Sequence, residues 1–132
     1  MNDGFRVALA VVAGVVLWGL AWNLGNVALA AAFPDELAGV ARIEAPGLLL
    51  VLVAYSVLLS GAAGWLAASL AGAGAATAVL VLGVVDLALA IVVQTVYWEM
   101  MPLWYHLLFL AGILPATIAG GRVHGLAPPR ER

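Results

Sequence analysis

Long apolar stretches without a charged side chain constrain this chain more than any other feature. Residues 7–33 contain no charged residue, and a run of that length exceeds the roughly 20 apolar residues that a helix needs to cross a bilayer. Of the 132 residues, 66% are hydrophobic and only 9% are charged. These proportions leave too few polar side chains to cover a water-facing surface. We therefore predict an integral membrane protein.

Four such stretches predict four transmembrane helices, at about residues 5–33, 47–70, 75–97 and 102–119. In lipid, a segment satisfies its backbone hydrogen bonds only as a helix or in a closed barrel, and four segments close no barrel. The connections are short, so consecutive helices are expected to be antiparallel. The predicted fold class is all-α: an integral membrane four-helix bundle of up-down spans. It forms a single transmembrane domain with a short cytoplasmic tail over 120–132.

The positions of the arginines predict the orientation of the spans. Arg6 precedes the first span, and Arg122, Arg130 and Arg132 follow the fourth, whereas the loop over residues 34–46 holds three carboxylates and one arginine. Positively charged residues accumulate on the cytoplasmic side of membrane proteins. We therefore expect a multi-pass protein of a bacterial inner membrane, with both termini cytoplasmic and this loop outside.

Small residues recur at every fourth position on the second and fourth predicted spans. Such faces allow two helix backbones to approach closely and are typical of contacts between membrane helices. They would serve either as contacts inside the bundle or as an interface with a second copy or a membrane partner. The positions are Ser60, Gly64, Ala68 and Gly72 after the start of the second span, and Gly112, Ala116 and Gly120 along and after the fourth.

Asp86 is a carboxyl residue near the middle of the third predicted span. A central Asp costs about 2.5–3.5 kcal/mol on insertion scales, and such residues nearly always face the bundle interior or a water-filled cavity. Two hypotheses follow. Asp86 either ties the third span to a serine or asparagine of a neighbouring helix, or it binds a proton or a cation.

Other polar side chains gather toward the outer side of the membrane. Counting about 1.5 Å per residue, Asn23 and Asn26 of the first span, Gln94 of the third and His106 of the fourth all fall in roughly the outer third. Gln94 shares a helical face with Asp86, which predicts an outward-opening polar vestibule with Asp86 at its floor. The inner half has few polar side chains, which disfavours transport through a single copy.

The sequence offers no set of residues for catalysis. It has no nucleophile with a base and an orienting acid, no paired membrane carboxylates and no glycine loop for phosphate. It has no cysteine and only five basic residues other than histidine, so thiolate chemistry and nucleic-acid binding are not expected. We expect no catalytic residue, no metal and no cofactor.

Two functional hypotheses remain open, and both have the lipid bilayer as a partner. The leading one is a small non-enzymatic structural or accessory subunit, or a homo-oligomer, held together by the small-residue faces. The alternative is a membrane protein that handles a small solute, a proton or a cation through Asp86 and the outer polar residues.

Overall fold

The computed structural model describes residues 1–126, which form helices joined by short turns and contain no strand. The prediction of an all-α chain is confirmed. The helices are α1 (Asp3–Ala32), the short α2 (Pro34–Leu37), α3 (Pro46–Ala71), α4 (Ala75–Val96) and α5 (Leu103–Leu126).

Three helical stretches are long and apolar enough to cross a membrane: Asp3–Ala32, Pro46–Val96 and Leu103–Leu126. They support the prediction of a helical membrane protein. The second stretch comprises α3 and α4 with a single 3-10 turn, Gly72–Gly74, between them. Gly72 has a φ of 60°, which glycine adopts readily because it has no Cβ.

The predicted spans end within two residues of the helices except at the C-terminal end of α5. Residues 120–126, expected in the tail, continue this helix. Gly120 is buried there against the backbone of Gly61 on α3, so tertiary packing stabilises a turn that hydropathy does not mark. Of the arginines used to predict the orientation, Arg130 and Arg132 lie outside the described residues.

Two polar contacts stabilise helix ends, one at the start of α1 and one at the end of α3. The side chain of Asn2 accepts a hydrogen bond from the backbone N–H of Phe5 at 2.7 Å, which satisfies one of the free donors of the first turn. The guanidinium of Arg6 donates to the carbonyl of Leu70 at 3.2 Å, where a cation near the last carbonyls of a helix is favourable. The start of α1 therefore lies beside the end of α3.

The helix α3 packs against each of the other three long helices and contacts α5 most extensively. By contrast, α1 buries only Ala10 and Gly14. One side of α1, which includes Val7, Val11 and Val15, packs half-buried against the core, whereas Leu9 and Leu20 are exposed.

The core has two parts, one at each end of the helices. We call the end that carries residues 38–45 and 97–102 the loop end, and the end with the turn Gly72–Gly74 the terminal end. The core of the terminal end is rich in alanine, whereas that of the loop end contains Tyr105 and Phe109. The backbone N–H of Ile43 donates to the carbonyl of Met100 at 2.8 Å. This bond joins the loop after α2 to the turn before α5.

Candidate functional site

A cavity of about 370 Å³ lies at the loop end between α1, α4 and α5. Three of the polar residues predicted from the sequence line it: Asn23 and Asn26 from α1 and Gln94 from α4. The remaining wall is mostly apolar or aromatic, and residues of the loop and the turn complete it. These further lining residues are Trp22, Leu37, Ile43, Val93, Tyr97, Met100, Met101 and Tyr105.

The two asparagines of α1 have a defined amide orientation. The Nδ2 of Asn23 donates to the carbonyl of Gly19 and the Nδ2 of Asn26 donates to the carbonyl of Trp22, each at 2.8 Å. A backbone carbonyl only accepts hydrogen bonds, so the nitrogen of each amide must face the helix. The two Oδ1 atoms are left as acceptors for another group.

Gln94 is held in place by His106, which is fully buried and stands behind it rather than in the cavity wall. The Nδ1 of His106 hydrogen-bonds the side-chain amide of Gln94, and its Nε2 lies 3.1 Å from the carbonyl oxygen of Trp98. Because that carbonyl only accepts, Nε2 carries a proton. The imidazole also stacks on the Trp98 indole at a centroid distance of 4.4 Å. His106 is therefore a positioning residue for Gln94.

Stacked aromatic rings support the α1 side of the cavity. The indole of Trp22 lies between Trp18 and Tyr55, with ring centroids 5.5 and 5.9 Å apart, and meets Phe109 edge-on at 5.2 Å. The Nε1 of Trp18 donates to the Oγ of Ser60 at 3.0 Å. Trp18 and Trp22 of α1 are thus held against α3 and α5, and Trp22 presents a rigid surface to the cavity.

Asp86 stands apart from this cavity. It is 2% exposed, and its Oδ2 has no hydrogen-bond partner within the described part of the chain. The structure therefore differs from two expectations: Asp86 is not among the residues that line the cavity, and no serine or asparagine of residues 1–126 hydrogen-bonds its Oδ2. On α3, Ser60 accepts from Trp18 and Ser56 donates to the carbonyl of Val53.

The small-residue faces of α3 and α5 meet each other within the chain. A Cβ on Gly64 would overlap the backbone of Thr117, and one on Gly120 would overlap the backbone of Gly61. These faces are consequently covered by a helix of the same chain. Of the other predicted packing residues, Ala68 is buried, Ser60 faces α1, Gly112 lies against Val57, Ala116 is half-buried and Gly72 is exposed in the turn.

Sequence reasoning missed several residues of the site. Tyr105, near the start of α5, is 1% exposed and lines the cavity. Leu37, the last residue of α2, and Ile43 of the following loop also reach the cavity, from a segment that carries three carboxylates and one arginine. Apolar side chains inside a charged loop were the available signal, since a loop that only faces water has no need of them.

The polar side chains that line the cavity are the carboxamides of two asparagines and one glutamine and the phenols of two tyrosines. No three His, Asp or Glu side chains among residues 1–126 are grouped to hold a metal ion. A second groove, at the terminal end, is lined chiefly by alanine and larger aliphatic residues, with Arg122 at its edge. It offers much less directional hydrogen bonding.

Comparison of the chain with protein-family models, with curated proteins and with solved structures finds no match. The function is therefore inferred from the geometry of the chain itself.

Proposed function

We propose that α1, α3, α4 and α5 each cross the inner membrane, with consecutive spans antiparallel and both termini cytoplasmic. The lengths of α3 and α4, 26 and 22 residues, support this because about 20 residues span the hydrocarbon core. Two contacts between α1 and α3 also support it: Arg6 bonds to Leu70, and Trp18 bonds to Ser60. The later residue of α1 contacts the earlier residue of α3, so these two helices run antiparallel. Arg6 and Arg122 then lie on the cytoplasmic side, in agreement with the positive-inside rule.

We further propose that the protein binds a small hydrogen-bonding solute in the loop-end cavity, on the outer side of the membrane. The observation that carries this proposal is that three amide side chains from two helices line one cavity. A concave, mainly apolar pocket with a few convergent polar groups is typical of small-molecule sites. Ile43 of the loop after α2 also lines this cavity, whereas amide side chains that only faced solvent would need no such cover.

One-sided binding is favoured over conduction through a single copy. The core of the terminal end consists of alanine and larger aliphatic side chains. At this end Leu82 fills the notch left by Gly14 of α1. Apart from Asp86, the buried part of α4 toward this end is apolar. A solute that enters from the loop end therefore meets a closed apolar core.

A pair of neighbouring substitutions tests the binding proposal. Val93 lines the cavity, whereas Val92 is 64% exposed and does not. We expect Val93→Trp to fill the cavity and abolish saturable binding, while Val92→Trp binds like the wild type. The measurement is fluorine NMR on protein in lipid nanodiscs, with fluorinated neutral, cationic and anionic compounds and with empty nanodiscs subtracted. If no compound in any class binds in a manner sensitive to Val93→Trp, the proposal is wrong.

The accessory-subunit or homo-oligomer hypothesis is our second candidate, and the exposed apolar residues of α1 favour it. Because the small-residue faces are covered within the chain, an interface must use another surface. The helix α1 offers one, since Leu9, Val16 and Leu20 are exposed along it. Light scattering of the purified protein checks the homo-oligomer: we expect a multimer that Leu20→Arg dissociates. A mass of one copy in mild detergent contradicts self-association.

A further inference from the structure

We propose that the loop-end cavity selects an uncharged aromatic molecule that carries a hydroxyl group, of which a phenol is the simplest. This inference rests on the proposed solute-binding function and names the chemical class of the solute. It follows from the charge, the hydrogen-bonding polarity and the aromatic lining of the cavity.

The charge of the lining excludes an ionic ligand. Among residues 1–126, no Asp, Glu, Arg or His side chain lines the cavity. An ion removed from water without a partner of opposite charge is strongly destabilised. The carboxylates of the adjoining loop, Asp35, Glu36 and Glu44, are exposed to solvent instead. A neutral solute therefore enters at a much lower free-energy cost than a carboxylate or an ammonium ion.

The α1 side of the cavity favours a ligand that donates a hydrogen bond. One N–H of each of the Asn23 and Asn26 amides bonds within its own helix and the second stays free, while neither Oδ1 atom accepts a hydrogen bond from the described part of the chain. An ether or a ketone has only acceptor oxygens and leaves these two groups unpaired, which is unfavourable in a partly dry site. A hydroxyl group can donate to one of them.

The α4 side favours a hydroxyl group over a pure donor. The hydrogen bond to His106 restrains the Gln94 amide, and only the end of the amide turned away from the imidazole can address a solute. A hydroxyl both donates and accepts, so it can donate to an asparagine oxygen while it accepts from an N–H of the Gln94 amide.

The remaining wall favours a ring. Trp22 and Tyr105 present aromatic surfaces, and Met100 and Met101 present thioethers, which pack well against aromatic rings. An apolar cavity of about 150 Å³ accommodates benzene. The loop-end cavity, at about 370 Å³, therefore has room for one substituted ring together with its hydroxyl.

Three compounds of similar shape test the inference on the wild-type protein. They are 4-(trifluoromethyl)phenol, its methyl ether 4-(trifluoromethyl)anisole, and 4-(trifluoromethyl)benzoate. Fluorine NMR titration into protein-loaded nanodiscs, with empty nanodiscs subtracted, gives the saturable affinity of each. We expect the phenol to bind about tenfold more tightly than the anisole, as the loss of one or two hydrogen bonds implies. We expect no saturable binding of the benzoate.

Variants locate the donor contact. Asn26→Val should weaken the binding of the phenol about fivefold, the effect of one hydrogen bond. The affinity for the anisole should stay unchanged. Val93→Trp should abolish phenol binding and Val92→Trp should retain it. The comparison among the three compounds uses the native chain alone, so it remains decisive if a variant fails to fold.

The outcomes separate the two proposals. Equal affinity for phenol and anisole, or tighter binding of the benzoate, with both sensitive to Val93→Trp, overturns the aromatic-hydroxyl inference and leaves solute binding intact. The aromatic-hydroxyl inference is also overturned, with solute binding intact, if the only compound that binds is a non-aromatic one from the fluorinated neutral, cationic and anionic set. If no compound of either set binds in a manner sensitive to Val93→Trp, both proposals are wrong.

Discussion

At the scale of single residues, Asp86 is the group whose surroundings differ most from expectation. Its Oδ2 is buried without a partner in the part of the chain that the structure describes. Because an unsatisfied buried polar atom is destabilising by about 1–3 kcal/mol, we expect Asp86→Leu to preserve or raise the free energy of unfolding in mixed micelles. Asp86→Asn should preserve it. If Asp86→Leu lowers the free energy of unfolding and Asp86→Asn does not, Asp86 is instead hydrogen-bonded to a neighbouring group.

The same two variants address proton or cation handling by Asp86. Toward the terminal end the core is rich in alanine, and the buried Thr117 hydroxyl donates to the carbonyl of Ile113, so we expect wild-type protein in liposomes with an internal pH dye to pass no more protons than empty liposomes. Flux in the wild type that both variants lose at unchanged stability would contradict this prediction.

His106 carries the third residue-scale prediction. His106→Phe retains a ring against Trp98 but leaves the buried Gln94 amide without its partner. We expect destabilisation by about 1–3 kcal/mol and weaker binding of 4-(trifluoromethyl)phenol. Adding Gln94→Leu should recover part of the stability, since the stranded amide is then removed. Strict additivity of the two changes in unfolding free energy would show that the pair is not coupled.

At the scale of helices, the contact between α3 and α5 depends on the absence of side chains. The site of a Cβ on Gly64 is occupied by the backbone of Thr117, which cannot rotate away as a side chain can. We expect Gly64→Leu to lower the free energy of unfolding by at least the 1–3 kcal/mol typical of overpacking. Gly19→Leu on α1 is the control, because no atom lies within 4 Å of its Cβ position. Equal thermal unfolding of the two variants in detergent would contradict the prediction.

At the scale of the whole molecule, the proposed orientation is open to direct labelling. The chain has no cysteine, so a single introduced cysteine is the only thiol. Ala38 follows α2 at the loop end and Ala73 lies in the turn at the terminal end, and both are exposed. We expect an impermeant thiol reagent to label Ala38→Cys in intact spheroplasts and Ala73→Cys only after lysis. The reverse pattern would mean that both termini lie outside.

The lengths of the apolar runs were sufficient to predict the helical fold and most helix ends, because the thickness of the bilayer and the need to satisfy the backbone act on each segment separately. The depth of polar residues likewise singled out Asn23, Asn26 and Gln94, which share one cavity. Periodicity assigns a side chain to a face of its helix, but it does not say which neighbour covers that face. Only the packing of all helices together places the Gly64 face against Thr117 and extends α5 beyond residue 119. The same packing leaves Asp86 outside the cavity lining, because partners far apart in the chain are brought together by shape and not by local pattern.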